Sequence, residues 1–369
     1  MHVLLIHNED RYLAGAEKML GYYLAGAQDA DSDFSVATVK DGKLDKSLPP
    51  DYRRIYISSN TRFSTMDLLV QAGSLTRAHR LTPFDLVHGW AARDWELTGL
   101  AGLLIRRPRV GTLHDHPEAS FISARRRRLM RWAARWGLSK VVCVSHAVRQ
   151  ACERSGYPGA KLAVVHNGLP EFEVPPRPSA PHFRLGYLGV LSERKGISGL
   201  FEMLHRLGRN PELAWEIDIA GEAQEDSGQR LLAEIRARYG QEEWWSRVHW
   251  RGWLGQPVEF LRSLDLLICP SSDFDPFPTV LLEAGRAGVA VLAAAVGGVP
   301  EIVKDGETGW LFDAQNWPAG AAKLARLLSS PTVLLEAGRK SRARIATLFG
   351  NEIMVANYRK LYSSLCVHA

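Results

Sequence analysis

Short runs of β-branched and aliphatic residues alternate along the chain with longer segments whose apolar side chains recur every three or four residues. Val3 to His7, Phe34 to Val39, Arg54 to Ser58, Asp85 to His88, Val110 to Leu113 and Val141 to Ser145 read as strands. Helical spacing predicts helices from about Ala16, over Thr65 to His79 and over Asp94 to Ile105. The alternation restarts with strands at Phe183 to Leu188, Trp215 to Ala220, Val248 to Trp250, Leu266 to Cys269 and Val289 to Ala293. Helices are expected between them at Gly196 to Leu207, Gly228 to Tyr239 and Thr279 to Ala287, and the last 50 residues read as helical. Parallel neighbours need a crossover connection, so this order predicts parallel sheets with helices on both faces.

A proline-dense stretch with Pro170, Pro175, Pro176, Pro178 and Pro181 interrupts the pattern. Proline cannot donate to a sheet or helix ladder, which marks the stretch as a linker. The expected organisation is therefore a Rossmann-like domain over 1–169, a linker over 170–182, a second Rossmann-like domain over 183–345, and a helical segment over 346–369 that packs back on the first domain. With 369 residues, two domains are also the prior from length. No repeat of 20 to 50 residues argues for a solenoid.

Composition narrows the class. Hydrophobic residues make up 46% and charged residues 23%, which excludes a disordered chain. The longest weakly polar run, Ala287 to Pro300, has 14 residues against the roughly 20 of a bilayer span. The apolar start, Val3 to Ile6, is short and lacks a basic leader, so a cytoplasmic protein is expected. Cys143, Cys152, Cys269 and Cys366 form no Cys-x-x-Cys pair and read as reduced packing residues.

The net charge of +6 is uneven: residues 1–169 carry 24 Lys and Arg against 16 Asp and Glu, the remainder 22 against 24. Six arginines fall between Arg125 and Arg135, where Ile122, Leu129, Trp132, Ala133 and Trp136 recur at helical spacing. This basic amphipathic helix either packs Leu129, Trp132 and Trp136 into the first domain, lines an acceptor cleft, or adsorbs to an anionic lipid surface. No aromatic platform or nucleic-acid motif accompanies the arginines, so nucleic acid is not an expected partner.

In open α/β sheets ligands bind beyond the carboxyl ends of strands, and two such domains face to face leave a cleft there. The most informative strand-end loop is Pro270-Ser271-Ser272-Asp273-Phe274-Asp275-Pro276-Phe277-Pro278, followed by a helix expected to open near Pro278. The amides of Thr279 and Val280 would be unpaired donors at a positive helix end, suited to phosphate. Glu283 lies one turn on, where a carboxylate can accept both hydroxyls of a ribose; the alternative is an ordinary helix-solvating acid. Gly189 to Gly196 places Arg194 and Lys195 after a strand, as charge for a diphosphate or as a solvated basic turn.

Asp275 and Glu283, eight apart, resemble the Glu-x7-Glu signature of the retaining glycosyltransferases of family 4, which adopt the two-Rossmann GT-B fold. Gly297-Gly298-Val299-Pro300-Glu301 through Gly309, Ile219-Ala220-Gly221-Glu222, Arg251-Gly252, Asn167-Gly168 and Gly15-Ala16-Glu17 are similar to the same family's pattern. The resemblance is dense over 183–312 and sparse before it. This sequence has Asp275 where Glu is usual, Pro278 where glycine is frequent, Val190 where Arg is frequent, and Ala14-Gly15 where two glycines are typical.

The resemblance implies a nucleoside-diphosphate sugar as donor and a glycan or lipid-linked acceptor; lipid adsorption through the basic helix would make the enzyme peripheral on the inner membrane face. It implies that Lys195, with Arg194 in support, neutralises the diphosphate, that Gly15 lets the backbone approach it, that Asp275 holds sugar hydroxyls, and that His114 contacts the donor sugar. Ser145, His146, Glu222 and Glu301 are weaker candidates. Asp273-Phe274-Asp275 also reads as a metal-binding Asp-x-Asp, but only two carboxylates converge and Lys195 already supplies charge, so no metal or other cofactor is expected. His114 and His116 lack a third ligand at suitable spacing. A nucleotide-sugar epimerase of the same architecture and a non-catalytic nucleotide-sugar or glycan-binding protein are the alternatives.

Overall fold

The structure, a computed structural model, describes residues 1–8, 15–28, 33–49, 52–58, 65–174, 182–224 and 226–366. The chain forms two compact units, Met1–Pro170 with Asn351–Ala369, and Glu171–Gly350. Most of the expected linker, residues 175–181, lies outside the described residues, as does Ala14.

The first unit is built on a seven-stranded parallel sheet: β1 (His2–Ile6), β2 (Asp33–Val39), β3 (Arg53–Ile57), β4 (Leu86–Gly89), β5 (Arg109–Leu113), β6 (Lys140–Cys143) and β7 (Leu162–Val164). Their order is β3-β2-β1-β4-β5-β6-β7. Val3, Leu4, Leu5 and Ile6 of the central β1 are fully buried, as befits a strand covered on both faces. Burying each such side chain contributes roughly 1.5–3 kcal/mol. The order reverses between β1 and β4, and that switch point is where strand ends open onto a ligand crevice in doubly wound sheets.

The helix Asn351–Cys366 belongs to this unit. Asn351 Nδ2 donates to the Tyr22 carbonyl at 2.7 Å, Tyr362 Oη meets His88 Nδ1 at 2.7 Å, and Tyr358 Oη lies 3.2 Å from Thr112 Oγ1. Burial pushes His88 down to about 3, so its ring is neutral and, between Tyr362 and Thr112, donates from one nitrogen and accepts at the other. The return begins at Asn351 rather than at 346, because the preceding helix Pro331–Leu348 stays with the second unit, Gly338 abutting Gly288.

The second unit carries β8 (Phe183–Leu188), β9 (Trp215–Ala220), β10 (Val248–Gly252), β11 (Leu266–Cys269), β12 (Ala290–Ala294) and β13 (Trp310–Phe312), all parallel, in the order β10-β9-β8-β11-β12-β13. Leu185, Ile217, Leu266 and Leu292 meet Ile197, Leu200, Phe201 and Leu204 of the helix Ile197–Gly208 in one core. This is the same doubly wound plan, with the switch point between β8 and β11.

The arginine helix runs over Ala124–Trp132 and continues as a π turn through Ala133–Gly137. It buries Met130, Ala133 and Ala134. Of the three readings of this helix, inward packing of Leu129, Trp132 and Trp136 is not what the structure has: Trp132 is 59% and Trp136 65% exposed, with Phe121 and Leu129 also outside. Small residues let the π turn pack closely on the helix Trp95–Leu104, with Gly137 against Gly99, while the indoles face solvent. Arg126 binds Glu96 and the Ala92 carbonyl, and Arg127 and Arg131 both pair with Glu118, at 3.2 and 2.6 Å. Arg125, Arg128 and Arg135 remain exposed. No helix among the described residues is long and apolar enough to cross a membrane.

Candidate functional site

In the second unit, three loops at strand ends are tied together. β8 leads into a 3-10 turn at Glu193–Lys195, then Gly196 at φ 75°, then the helix Ile197–Gly208. A Cβ on Gly196 would lie 1.7 Å from the Pro270 carbonyl oxygen, so only glycine lets the Lys195 turn pass the loop after β11. Ser272 N donates to the Arg194 carbonyl at 3.1 Å and Ser272 Oγ to the Glu193 carbonyl at 2.5 Å. Gly297, at φ 55°, brings the loop after β12 equally close: its Cβ would meet the Asp275 carbonyl at 2.0 Å, and Gly298 N donates to that carbonyl at 2.8 Å.

Where these loops meet, Lys195 Nζ lies 2.6 Å from Asp275 Oδ2. Ser271 Oγ donates to the same oxygen at 2.9 Å. Asp275 is 3% exposed, so two donors compensate a nearly buried carboxylate. Asp273, in contrast, is exposed and accepts from Phe274 N at 2.7 Å. The two carboxylates of the Asp-x-Asp triplet thus have separate partners. Arg194 is exposed beside Lys195.

The helix Thr279–Arg286 starts directly after this loop, with Pro278 at its N-cap and no side chain capping it. Pro278 therefore precedes the first turn rather than opening it. Leu281 N bonds the Pro278 carbonyl, which leaves the amides of Thr279 and Val280 directed out of the helix end, where the dipole favours an anion. Glu283 is half-buried one turn along. Burial, with the Asp275 charge second, pushes the Cys269 thiol up to about 11, so it stays protonated under this site.

In the first unit a second cluster occupies the ends of β1, β4 and β5. His114 follows β5 and its Nε2 lies 3.0 Å from the Trp90 carbonyl. A carbonyl only accepts, so Nε2 carries the proton and Nδ1 presents a lone pair. Burial pushes His114 down to about 4, against the opposing pull of Glu17. It is therefore a neutral acceptor at physiological pH. Behind it, His7 at the end of β1 lies between Glu17 Oε1 at 2.8 Å and Asp94 Oδ2 at 3.1 Å. Asp94 also accepts from Asn8 N and Ala91 N, both at 3.0 Å. Trp90 Nε1 donates to the Ala16 carbonyl at 2.8 Å, beside the exposed Gly15 that starts the first helix.

Lys195, Arg194 and Asp275 thus fall on two adjoining loops of one unit and Thr279, Val280 and Glu283 on the helix that follows the second, while Gly15 starts the helix after β1 and His114 follows β5 in the other. Ser145 is spent as the N-cap of the helix His146–Arg154, accepting from Val148 N. His116 accepts from Glu118 N, away from His114's partner. Glu222 is exposed. His7 and Asp94 were not among the sequence candidates. Their strand-end positions, the same signal that singles out His114, could have found them.

A family described as glycosyl transferases group 1 matches residues 176–346, and one described as Glycosyltransferase Family 4 matches residues 14–171. The chain is similar to the alpha-maltose-1-phosphate synthase of Mycobacterium tuberculosis, 28% identical over 228 residues that make up 60% of this chain and 57% of that protein. It spans less still of the D-inositol 3-phosphate glycosyltransferase of Streptomyces scabiei, with 30% identity over 55% of this chain and 49% of that one. Among solved structures, Anabaena HepE in complex with UDP and glucose superposes with a TM-score of 0.83 over 99% of this chain and all of that one, at 22% identity. The lipopolysaccharide outer core galactosyltransferase WaaB gives 0.77 at 17% identity over 99% of this chain. At these identities the likeness is one of fold.

Proposed function

We propose that this chain, which belongs to the glycosyl transferases group 1 family, moves a sugar with retention of configuration from a nucleoside-diphosphate donor to a glycan or lipid-linked acceptor. The observation that carries the reading is the Lys195–Asp275 pair beside the uncapped start of the helix Thr279–Arg286, with Glu283 one turn away. A cation and two free amides suit a diphosphate, a carboxylate one turn on suits a ribose, and a carboxylate against the cation suits sugar hydroxyls. On the first unit, Nδ1 of His114 offers an acceptor to a hydroxyl.

Departure of the diphosphate breaks the bond from the anomeric carbon and leaves negative charge on the leaving oxygen. Lys195, Arg194 and the helix end stabilise that charge as it grows. The acceptor hydroxyl attacks on the face the diphosphate leaves, forming the new glycosidic bond, and its proton passes to the departing phosphate oxygen. UDP and UDP-glucose, the ligands of the HepE structures, are the first donors to test. Incubation of the protein with UDP-glucose and no acceptor separates the readings: a transferase releases UDP slowly, an epimerase changes the sugar, and a binding protein does neither.

The separate partners of Asp273 and Asp275 favour a metal-independent reaction. Activity is expected to survive EDTA unchanged; loss restored by manganese or magnesium would return the Asp-x-Asp triplet to a metal role.

The exposed face of Trp132, Trp136, Leu129 and Phe121, flanked by Arg125, Arg128 and Arg135, supports adsorption to anionic lipid. Because Arg127 and Arg131 are held by Glu118, the arginines that matter are the three without such a partner. The protein is expected to cosediment with phosphatidylserine-containing vesicles at low salt and not with neutral ones. Changing Trp132 and Trp136 to Ser should abolish binding, and changing Arg125, Arg128 and Arg135 to Ser should weaken it, while salt screens the remainder. Binding that ignores both variants would place the contact elsewhere.

A further inference from the structure

We propose that His7 is a positioning residue: clamped as an imidazolium between Glu17 and Asp94, it fixes the first turn of the helix Gly15–Ala27 and holds His114 in its neutral, hydrogen-bond-accepting form. Both ring nitrogens of His7 lie within hydrogen-bond distance of a carboxylate oxygen, 2.8 and 3.1 Å. A neutral imidazole has one N–H, so one nitrogen would present its lone pair to a carboxylate lone pair. Only the doubly protonated ring satisfies both. His7 is fully buried, so no water takes over the lost bond.

The groups facing His7 come from three elements: Glu17 on the first helix, Asp94 in the turn after β4, and His114 after β5. Burial opposes the charge on His7, but the hydrogen bonds and charges of Asp94 and Glu17 outweigh it and raise the ring to about 9. That positive charge in turn works with burial to keep His114 unprotonated. The mechanical linkage is continuous. Asp94 binds the backbone after β1 and after β4, His7 joins Asp94 to Glu17, Trp90 ties down the Ala16 carbonyl, and the Trp90 carbonyl holds His114 Nε2. The fold thus couples Gly15 and His114, two groups assigned to substrate, through a residue that touches none.

The linkage sign is fixed by the raised pKa. The stabilisation from His7 is fully present below its unfolded value of 6.5 and is lost as pH rises through about 9. Nitrogen NMR of histidine-labelled full-length protein tests the protonation states without recourse to activity. Wild type should show His7 with both nitrogens protonated at pH 8, titrating near 9, and His114 neutral with its proton on Nε2. In His7→Gln the titration of His114 should move up by about half a unit or more, because a nearby cation has gone. Glu17→Gln, which keeps the shape of the site, should lower the titration of His7 and serves if His7→Gln does not fold. The catalytic consequence rests on the transferase reading: slow UDP-glucose hydrolysis should lose about tenfold in kcat with KM within about twofold. A His7 found neutral at pH 7, or variants that move neither His114 nor kcat, overturn the proposal. If wild type does not turn over UDP-glucose, the donor assignment fails, and the NMR titrations still decide the role of His7.

Discussion

Lys195→Ala is expected to lower kcat by roughly 10²–10³-fold, the usual effect of removing one stabiliser of developing oxyanion charge. The donor constant should change far less, because the charge Lys195 meets increases as the bond breaks. The structure adds a second effect. Among the described residues, Lys195 Nζ and Ser271 Oγ both donate to a carboxylate that is 3% exposed, so removing Lys195 leaves Asp275 with Ser271. Breaking a buried pair from one side costs about 3–5 kcal/mol, and Lys195, itself 23% exposed, should fall at or below the lower end as water enters. Lys195→Ala with Asp275→Asn should regain much of the melting temperature and none of the turnover. Steady-state kinetics and thermal melts on the two variants check both halves. A single variant with unchanged kcat would transfer the charge role to Arg194, and a double variant no more stable than the single would mean that Asp275 is compensated by other groups.

Glu283→Ala should weaken nucleotide binding by about 10- to 150-fold. Charge-assisted hydrogen bonds contribute about 1.5–3 kcal/mol, and each 1.4 kcal/mol is tenfold in affinity. Calorimetric titration of UDP into wild type and variant measures this directly. The comparison that isolates the ribose is a second titration with inorganic pyrophosphate, which should bind both proteins alike because the proposed site meets it with Lys195 and the helix end. Equal UDP affinity in the two proteins would remove Glu283 from the nucleotide site. A parallel loss for pyrophosphate would mean instead that the substitution disturbed the helix start at Thr279.

The β/α alternation was legible because buried parallel strands are short uninterrupted apolar runs, and β8, β9 and β11 have the ends their residues imply. Leu162–Val164 and Trp310–Phe312 escaped because three residues carry no period. The candidate site of the second unit was readable since Asp275, Thr279 and Glu283 lie within one loop and helix. Its key contact was not: Lys195 and Asp275 are 80 positions apart, and only the fold pairs them. Which face of the arginine helix is buried was not legible for another reason. Spacing shows that apolar residues recur, but Met130 and Ala134 make a face as regular as that of Leu129, Trp132 and Trp136. Steric fit chose the smaller one. The His7 cluster joins residues 10 and 87 positions apart, and its unusual charge state arises from burial that no local pattern encodes.

The closing helix Asn351–Cys366 has a consequence for synthesis. His88 finds Tyr362 across 274 residues of chain, and Thr112 finds Tyr358 across 246. At about 5–20 residues per second, the ribosome makes β1 to β7 and then takes on the order of ten seconds to a minute to deliver the segment that covers them. During that interval the surface that will receive two tyrosines lies open, with the hydroxyl of Thr112 and the ring of His88 facing water or a chaperone. The first unit to be translated is therefore the last to be finished, and slowing elongation after residue 170 prolongs its exposure to aggregation and proteolysis without touching a residue of its sheet.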